Sequence, residues 1–174
     1  MKGKIFYRAL SFYDEFIHAG SYHVMTDSEE KKKIIRFNQF IFLSLLVVFF
    51  SVISYLSHRL FISALINISA AYVFFVAYFF NTRQKRALAR ILSVVNVNLY
   101  LIIMCYVEGL RAGDYLLFFP YFLALTFVVS IRQFRELVIV YSLTIYSLIF
   151  AVIFSPQAND IELIKAPLYD FLFN

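Results

Sequence analysis

Five long apolar runs, each bounded by charged or polar residues, dominate the pattern of the chain. They span residues 40–56, 60–80, 91–107, 115–131 and 137–154. A helix needs about 20 mostly apolar residues to cross the roughly 30 Å hydrocarbon core of a bilayer. The short polar links between the runs make consecutive helices antiparallel neighbours, and the runs lack the alternation of a barrel strand. We therefore expect an all-α, integral membrane, up-and-down bundle of about five transmembrane helices.

The first two runs are separated only by Ser57, His58 and Arg59. As one straight helix, residues 40–80 would be about 60 Å long, twice the hydrocarbon thickness. The chain must therefore turn at His58 and Arg59.

Three parts follow from this division: a cytoplasmic amphipathic and juxtamembrane segment at 1–36, the bundle at 37–154, and an extracytoplasmic tail at 155–174. We expect the tail to lead to a sixth helix outside this chain. In the first part, residues 5–17 predict an amphipathic helix that Gly20 ends. This helix is either an anchor lying on the membrane or an element that senses lipid or a partner. Its apolar face is formed by Phe6, Ala9, Leu10, Tyr13, Phe16 and Ile17, opposite Arg8, Ser11, Asp14 and Glu15.

A second helix start is predicted just before the first apolar run. Thr26 and Asp27 are suitable caps, and Glu29 and Glu30 follow three residues later, as in a capping box. The helix that starts here should continue through the basic stretch 31–36 into the first crossing. We expect it to form a rigid cytoplasmic extension.

Composition supports a bilayer as solvent. Hydrophobic residues make up 62% of the chain, mean hydropathy is +0.77, and the 16% of charged residues collect between the apolar runs. The net charge of +5 has no basic stripe interleaved with aromatics, so we expect no nucleic-acid partner. Anionic lipid headgroups at the cytoplasmic face are the expected partner instead.

Lys and Arg are distributed unequally between the two sides of the predicted bundle. One side would hold Lys2, Lys4, Arg8, Lys31, Lys32, Lys33, Arg36, Arg83, Lys85, Arg86, Arg90, Arg132 and Arg135; the other would hold Arg59, Arg111 and Lys165. Positive residues favour the cytoplasmic side. The N-terminus is therefore predicted in the cytoplasm and the end of this chain outside.

Polar side chains inside the runs are the first group of candidate functional residues, because they are costly in a bilayer and usually face other protein. They are Asn67, Asn96, Asn98, Tyr100 and Thr126. Ser93, Asn96 and Tyr100 share one helical face, with Asn98 and Cys105 nearly opposite, so the third helix should be buried on both sides. We expect Asn67 to meet Asn98 at a similar depth. Such groups either join helices or bind a ligand.

A second candidate is the charged loop after the third run, which would form a lid over the outer mouth of the bundle. Its residues are Glu108, Arg111 and Asp114, flanked by Tyr106 and Tyr115. Glu108 and Arg111 are close enough in sequence to pair. Pro120 removes a backbone donor and is expected to kink the fourth helix open. The alternative is an ordinary solvated loop with an aromatic belt at the headgroups.

The chain shows no pattern of catalysis, metal binding or cofactor binding. It has no phosphate-binding glycine loop, HExxH pair or nucleophile elbow. His18, His23 and His58 are too dispersed to place as a metal site, and Cys105 stands alone. We expect no metal, no cofactor and no catalytic residue here.

The order of parts resembles the N-terminal membrane regions of multi-pass bacterial sensor histidine kinases and related cyclases or regulators. The matching stretches are the 29–38 entry into the first helix, the 83–90 link, and the segment from Glu108-Gly109 to Pro120. The resemblance implies a sensory and anchor region, a homodimer and a bacterial inner membrane. A small unidentified ligand fits this role, and kinase activity would belong to a domain outside the chain.

The alternative function is a small transporter or channel subunit lined by Asn67, Asn96, Asn98 and Thr126. A purely structural anchor is the third.

Overall fold

The computed structural model describes residues 2–21, 28–109, 113–129 and 134–155, and these residues are all-helical with no strand. Six α-helices and one 3₁₀ turn follow in order. They are α1 (Lys2–His18), α2 (Ser28–Ser57), α3 (Phe61–Thr82), α4 (Arg86–Glu108), the 3₁₀ turn (Asp114–Leu117), α5 (Phe118–Val128) and α6 (Phe134–Phe154).

Four helices in the described part of the chain, α2, α3, α4 and α6, are long and apolar enough to cross a membrane. They coincide with the first, second, third and fifth predicted runs, and the predicted helices are confirmed there. Of these, α2, α4 and α6 extend beyond their apolar runs into the charged flanks, whereas α3 ends at Thr82, just before Arg83. In α2 the extension begins at Ser28, so the helix runs through the basic stretch as predicted. The capping residues Thr26 and Asp27 lie outside the described residues.

The fourth predicted run, 115–131, is different. It holds the 3₁₀ turn and the eleven residues of α5, which together rise about 25 Å, less than the roughly 30 Å of a bilayer core. Residues 130 and 131 lie outside the described part. A fifth crossing therefore stays a prediction.

Tight turns join α2 to α3 and α3 to α4. Arg59 and Gln84 adopt positive φ angles of 59° and 64° in these turns, which confirms the turn predicted at His58 and Arg59. The three helices therefore run up, down and up side by side. α4 also packs against α6, while α5 contacts α2 and α6.

The buried side of α3 is a continuous seam at intervals of four and three residues. The seam residues are Ser63, Asn67, Ala70, Phe74, Ala77 and Asn81. Such spacing averages 3.5 residues and keeps one stripe facing the neighbouring helices. The alanines in its middle let the helices approach closely. The outward faces of the bundle expose large apolar side chains such as Phe50, Leu65 and Ile153.

α1 folds back against the start of α2. Tyr13 and Phe16 pack edge-on against Phe42, and Phe16 also stacks on Tyr78 of α3 with ring centroids 4.1 Å apart. Gly20, with φ +77°, follows the end of α1. The amphipathic helix and its stop are therefore confirmed. On the predicted apolar face, Phe16 and Ile17 pack against the bundle and Leu10 is exposed.

Candidate functional site

Polar side chains of α3 and α4 form a connected cluster at the end of the bundle that carries Glu108. Ser63 Oγ donates to the Glu108 carboxylate. Asn67 Nδ2 donates to the Ser63 carbonyl at 2.8 Å, and Tyr100 OH donates to Asn67 Oδ1 at 3.1 Å. We call Ser63, Asn67, Tyr100, Glu108 and Asp114 the acidic cluster. Its bonds tie α3 to α4.

Asp114 adds a second carboxyl group to this cluster. It begins the 3₁₀ turn and is partly buried, and its Oδ2 atom has no hydrogen-bond partner among the described residues. Burial, and then the negative charge of Glu108, raises the pKa of Asp114 to about 6. The carboxyl group of Asp114 therefore releases its proton at a higher pH than that of an ordinary aspartate.

The other lid residues contribute less than predicted. Tyr106 is exposed on the outer face of α4, and Tyr115 is half-buried against an apolar cluster. Arg111 lies outside the described residues, as does any pair that it forms with Glu108. Pro120 is the third residue of α5, which follows the 3₁₀ turn directly. The kink at Pro120 stays a prediction.

A second polar group lies between α4, α5 and α6. Asn98 Nδ2 donates to the Val94 carbonyl at 2.8 Å and lies 3.4 Å from Thr144 Oγ1 and 3.5 Å from Tyr121 OH. Tyr121 OH also lies 3.3 Å from the Val94 carbonyl. Asn98 Oδ1 is buried and has no partner in the described part of the chain.

The predicted contact between Asn67 and Asn98 is not made. α3 packs on the face of α4 that carries Asn96 and Tyr100, where Asn96 Nδ2 donates to the Ala70 carbonyl at 3.2 Å. Asn98 is two residues, or about 200°, away and faces α6. α4 is therefore buried on both sides as predicted, but the two asparagines face different partners. Thr126 is exposed and bonds only within α5.

Two asparagines at the opposite end were not predicted to matter. Asn38 is fully buried, and its Nδ2 donates to the carbonyls of Ile17 and Ala19, each at 3.0 Å. Asn81 Nδ2 donates to Asn38 Oδ1 at 2.8 Å. We call Asn38 and Asn81, with the α1 carbonyls they hold, the asparagine clasp. The sequence feature that could have pointed to them is that Asn38 lies just before the 40–56 run and Asn81 just after the 60–80 run.

Backbone shape reinforces the clasp. A Cβ on Gly20 would lie 2.8 Å from Thr82 Cα and 3.1 Å from its carbonyl oxygen. Ser21, directly after it, is 1% exposed and donates to the His18 carbonyl. The end of α1 therefore fits closely on the end of α3.

Ion pairs complete this end of the bundle, which we call the basic end. Arg86 pairs with Glu30, and Arg90 Nη1 lies 3.2 Å from Glu136 Oε2. These contacts bring the starts of α2, α4 and α6 together. Lys33, Arg86 and Arg90, which were predicted to share one side, line one cavity at this end. The start of α1, with Lys2, points away from it, because α1 runs back along α2 from Asn38 with Tyr13 against Phe42.

Within the described residues, no group of three His, Cys, Asp or Glu side chains could hold a metal ion. Comparison of the chain with protein-family models, with curated proteins and with solved structures finds no match.

Proposed function

We propose that this chain is the membrane-embedded sensory and anchor region of a signal-transduction protein in a bacterial inner membrane. It would pass a ligand or membrane stimulus to a cytoplasmic output domain outside the chain. The observation that carries the proposal is that one helix, α3, holds residues of both the acidic cluster and the asparagine clasp.

The two ends of α3 are well placed to be coupled. Ser63 contacts Glu108 at one end, and Tyr78 OH donates to the Phe16 carbonyl of α1 at the other, at 3.2 Å. Fifteen residues separate them, a rise of about 22 Å in an α-helix. A shift of α3 against α4 at the acidic cluster would therefore move the surface on which α1 rests. Coupling of this kind needs a rigid element with contacts at both ends.

The acidic cluster is the better candidate for the input. It is partly buried, it joins two helices, and it contains a carboxyl group whose pKa is raised to about 6. Protonation or a bound cation would change the repulsion between Asp114 and Glu108 and hence the fit of the 3₁₀ turn on α4. α1, the most peripheral helix, is the candidate for the output contact.

The transporter alternative has less support. Thr126 is exposed on α5, Asn67 faces α4, and Asn98 faces α6. These side chains do not line a common path among the described residues. The bonds of Asn67 and Asn98 join helices, and the bond of Thr126 lies within α5.

The test uses a matched pair of serines on α3. Ser63→Ala removes the bond to Glu108, whereas Ser69→Ala removes only an intrahelical bond of an exposed side chain. The readout is the thiol reactivity of Ser21→Cys in a Cys105→Ala background, which reports undocking of α1. We expect Ser63→Ala to change this reactivity and Ser69→Ala to leave it unchanged. Equal reactivity in both variants, with equal output from the full-length protein, would count against the relay.

A further inference from the structure

A polar cavity and an apolar groove meet at Arg90. The cavity, of about 80 Å³, lies at the basic end and is lined by Lys33, Arg86, Arg90, Glu30 and Asn81, among others. The groove, of about 300 Å³, runs along α4 and α6 from Arg90 and Glu136. Because Arg90 lines both, the cavity and the groove lie next to each other and share this side chain as a wall.

The cavity has the features of an anion site. Its lining holds three cationic side chains, Lys33, Arg86 and Arg90, against the single carboxylate of Glu30. The Arg86 Nε–H is buried and has no acceptor in the part of the chain that the structure describes. Arg86 is also the first residue of α4, and no side chain caps that N-terminus. The first amides of a helix favour a negative group in this position.

The groove has the features of an acyl-chain site. It is lined by aliphatic residues of α4 and α6 and opens to the side of the bundle, where Val95 is 39% exposed and Ile139 is more exposed. A soluble anion would make no favourable contact with this apolar groove. Basic pockets between transmembrane helices are a recurring site for lipid headgroups.

We propose that the cavity and the groove together bind one anionic phospholipid from the leaflet at the basic end. Its phosphate would lie in the cavity against Arg86 and Arg90, and an acyl chain would lie in the groove beside Val95. The site requires the bundle to lie in a bilayer, but it does not depend on the sensory function. The Arg90–Glu136 pair closes the junction between head and chain, so Glu136 competes with the phosphate for Arg90.

The experiment is native mass spectrometry of the full chain with dioleoyl phosphatidylglycerol, dioleoyl phosphatidylcholine or inorganic phosphate as the probe. We expect phosphatidylglycerol to bind about tenfold or more tighter than phosphatidylcholine. Both lipids have a phosphate, but phosphatidylcholine adds a quaternary ammonium group that the cationic lining of the cavity repels. Inorganic phosphate should not compete with it. Stabilisation by inorganic phosphate equal to that by phosphatidylglycerol would overturn the proposal in favour of a soluble anion.

Four variants locate the site. Arg90→Gln should abolish the preference for phosphatidylglycerol, and Val95→Phe should abolish it by filling the groove. Glu136→Gln should keep or strengthen it. Arg83→Gln is the control, because Arg83 is exposed at the same end and packs on the Phe79 ring without lining either space. An unchanged preference in Arg90→Gln or Val95→Phe would overturn the proposal, as would an equal loss in Arg83→Gln. If Arg90→Gln fails to fold, Val95→Phe and Glu136→Gln still decide the matter.

Discussion

Replacing Asn38 by leucine should release α1 from the bundle without unfolding the bundle. The side chain is fully buried and makes two donated bonds of 3.0 Å to α1 and one accepted bond of 2.8 Å from Asn81. Leucine fills a similar volume but makes none of them. Interhelical hydrogen bonds in membrane proteins average about 0.6 kcal/mol each. The two bonds to the end of α1 give about 1.2 kcal/mol, and more if the carbonyls stay buried without a partner. The bond from Asn81 joins α3 to α2 and does not hold α1.

A loss of about 1.2 kcal/mol lowers the docking equilibrium of α1 roughly eightfold. The reactivity of a thiol that is accessible only when α1 undocks should rise by the same factor. Ser21→Cys supplies this thiol, since Ser21 is buried, similar in size to cysteine and adjacent to the clasp. The Cys105→Ala background removes the natural thiol, and the rate of modification in mild detergent is the measurement.

Asn96→Leu is the matched control. Asn96 makes one interhelical bond of 3.2 Å, to the Ala70 carbonyl, and has no contact with α1 in the described structure. It should lower bundle stability slightly and leave Ser21→Cys protected. If Asn38→Leu leaves the thiol as protected as the parent does, with α2–α4 intact, α1 is held by its aromatic contacts and the reasoning fails.

Three further predictions concern other parts of the molecule. Gly20→Ala should undock α1 in the same thiol assay, because the Cβ would meet the Thr82 backbone and a residue at φ +77° is strained; wild-type protection would contradict the close fit. Asp114 has a folded pKa raised from 3.8 to about 6, so the folded state holds its proton more tightly and loses stability as pH rises between about 4 and 6. Asp114→Asn should remove that loss, so the thermal unfolding midpoint of the variant should change less between about pH 4 and 7 than that of the parent. An equal change with pH in variant and parent would contradict this prediction. Finally, a cysteine at Gln84 should resist an impermeant thiol reagent in intact cells and one at Ala112 should react, and the reverse pattern would overturn the predicted orientation.

The four long apolar helices were predictable because their limits are set by local chemistry. An apolar run ends where charged residues begin, and this holds for α3 between His58–Arg59 and Arg83. The turns follow from helix length against bilayer thickness. The α5 region was harder, since its run is as apolar as the others but the structure divides it into a 3₁₀ turn and a short helix. The apolar content of a run therefore does not predict where within it an α-helix begins.

The partners of the polar residues were not predictable, because they depend on which helical faces meet. Asn67 and Asn98 lie at similar depth, yet α3 packs on the Asn96 face of α4 and leaves Asn98 to Thr144. Asn38 and Asn81 are 43 residues apart and meet because α2 and α3 form a close hairpin. The sequence of a single helix does not predict either pair of partners. Rotation of each helix is set by the packing of small residues against large ones.

The seam of α3 limits how a signal could travel along the bundle. It meets α4 through Ser63, Asn67 and Ala70, and it meets α2 through Phe74 and Asn81. Rotating α3 by one residue, about 100°, would turn Asn67 and Asn81 away from their partners together, at opposite ends of the helix. That cost opposes rotation but not a small slide or tilt, which bends hydrogen bonds without breaking them. A stimulus at the acidic cluster would therefore reach α1 as a shift along or across α3, with the asparagine clasp as the contact that reports it.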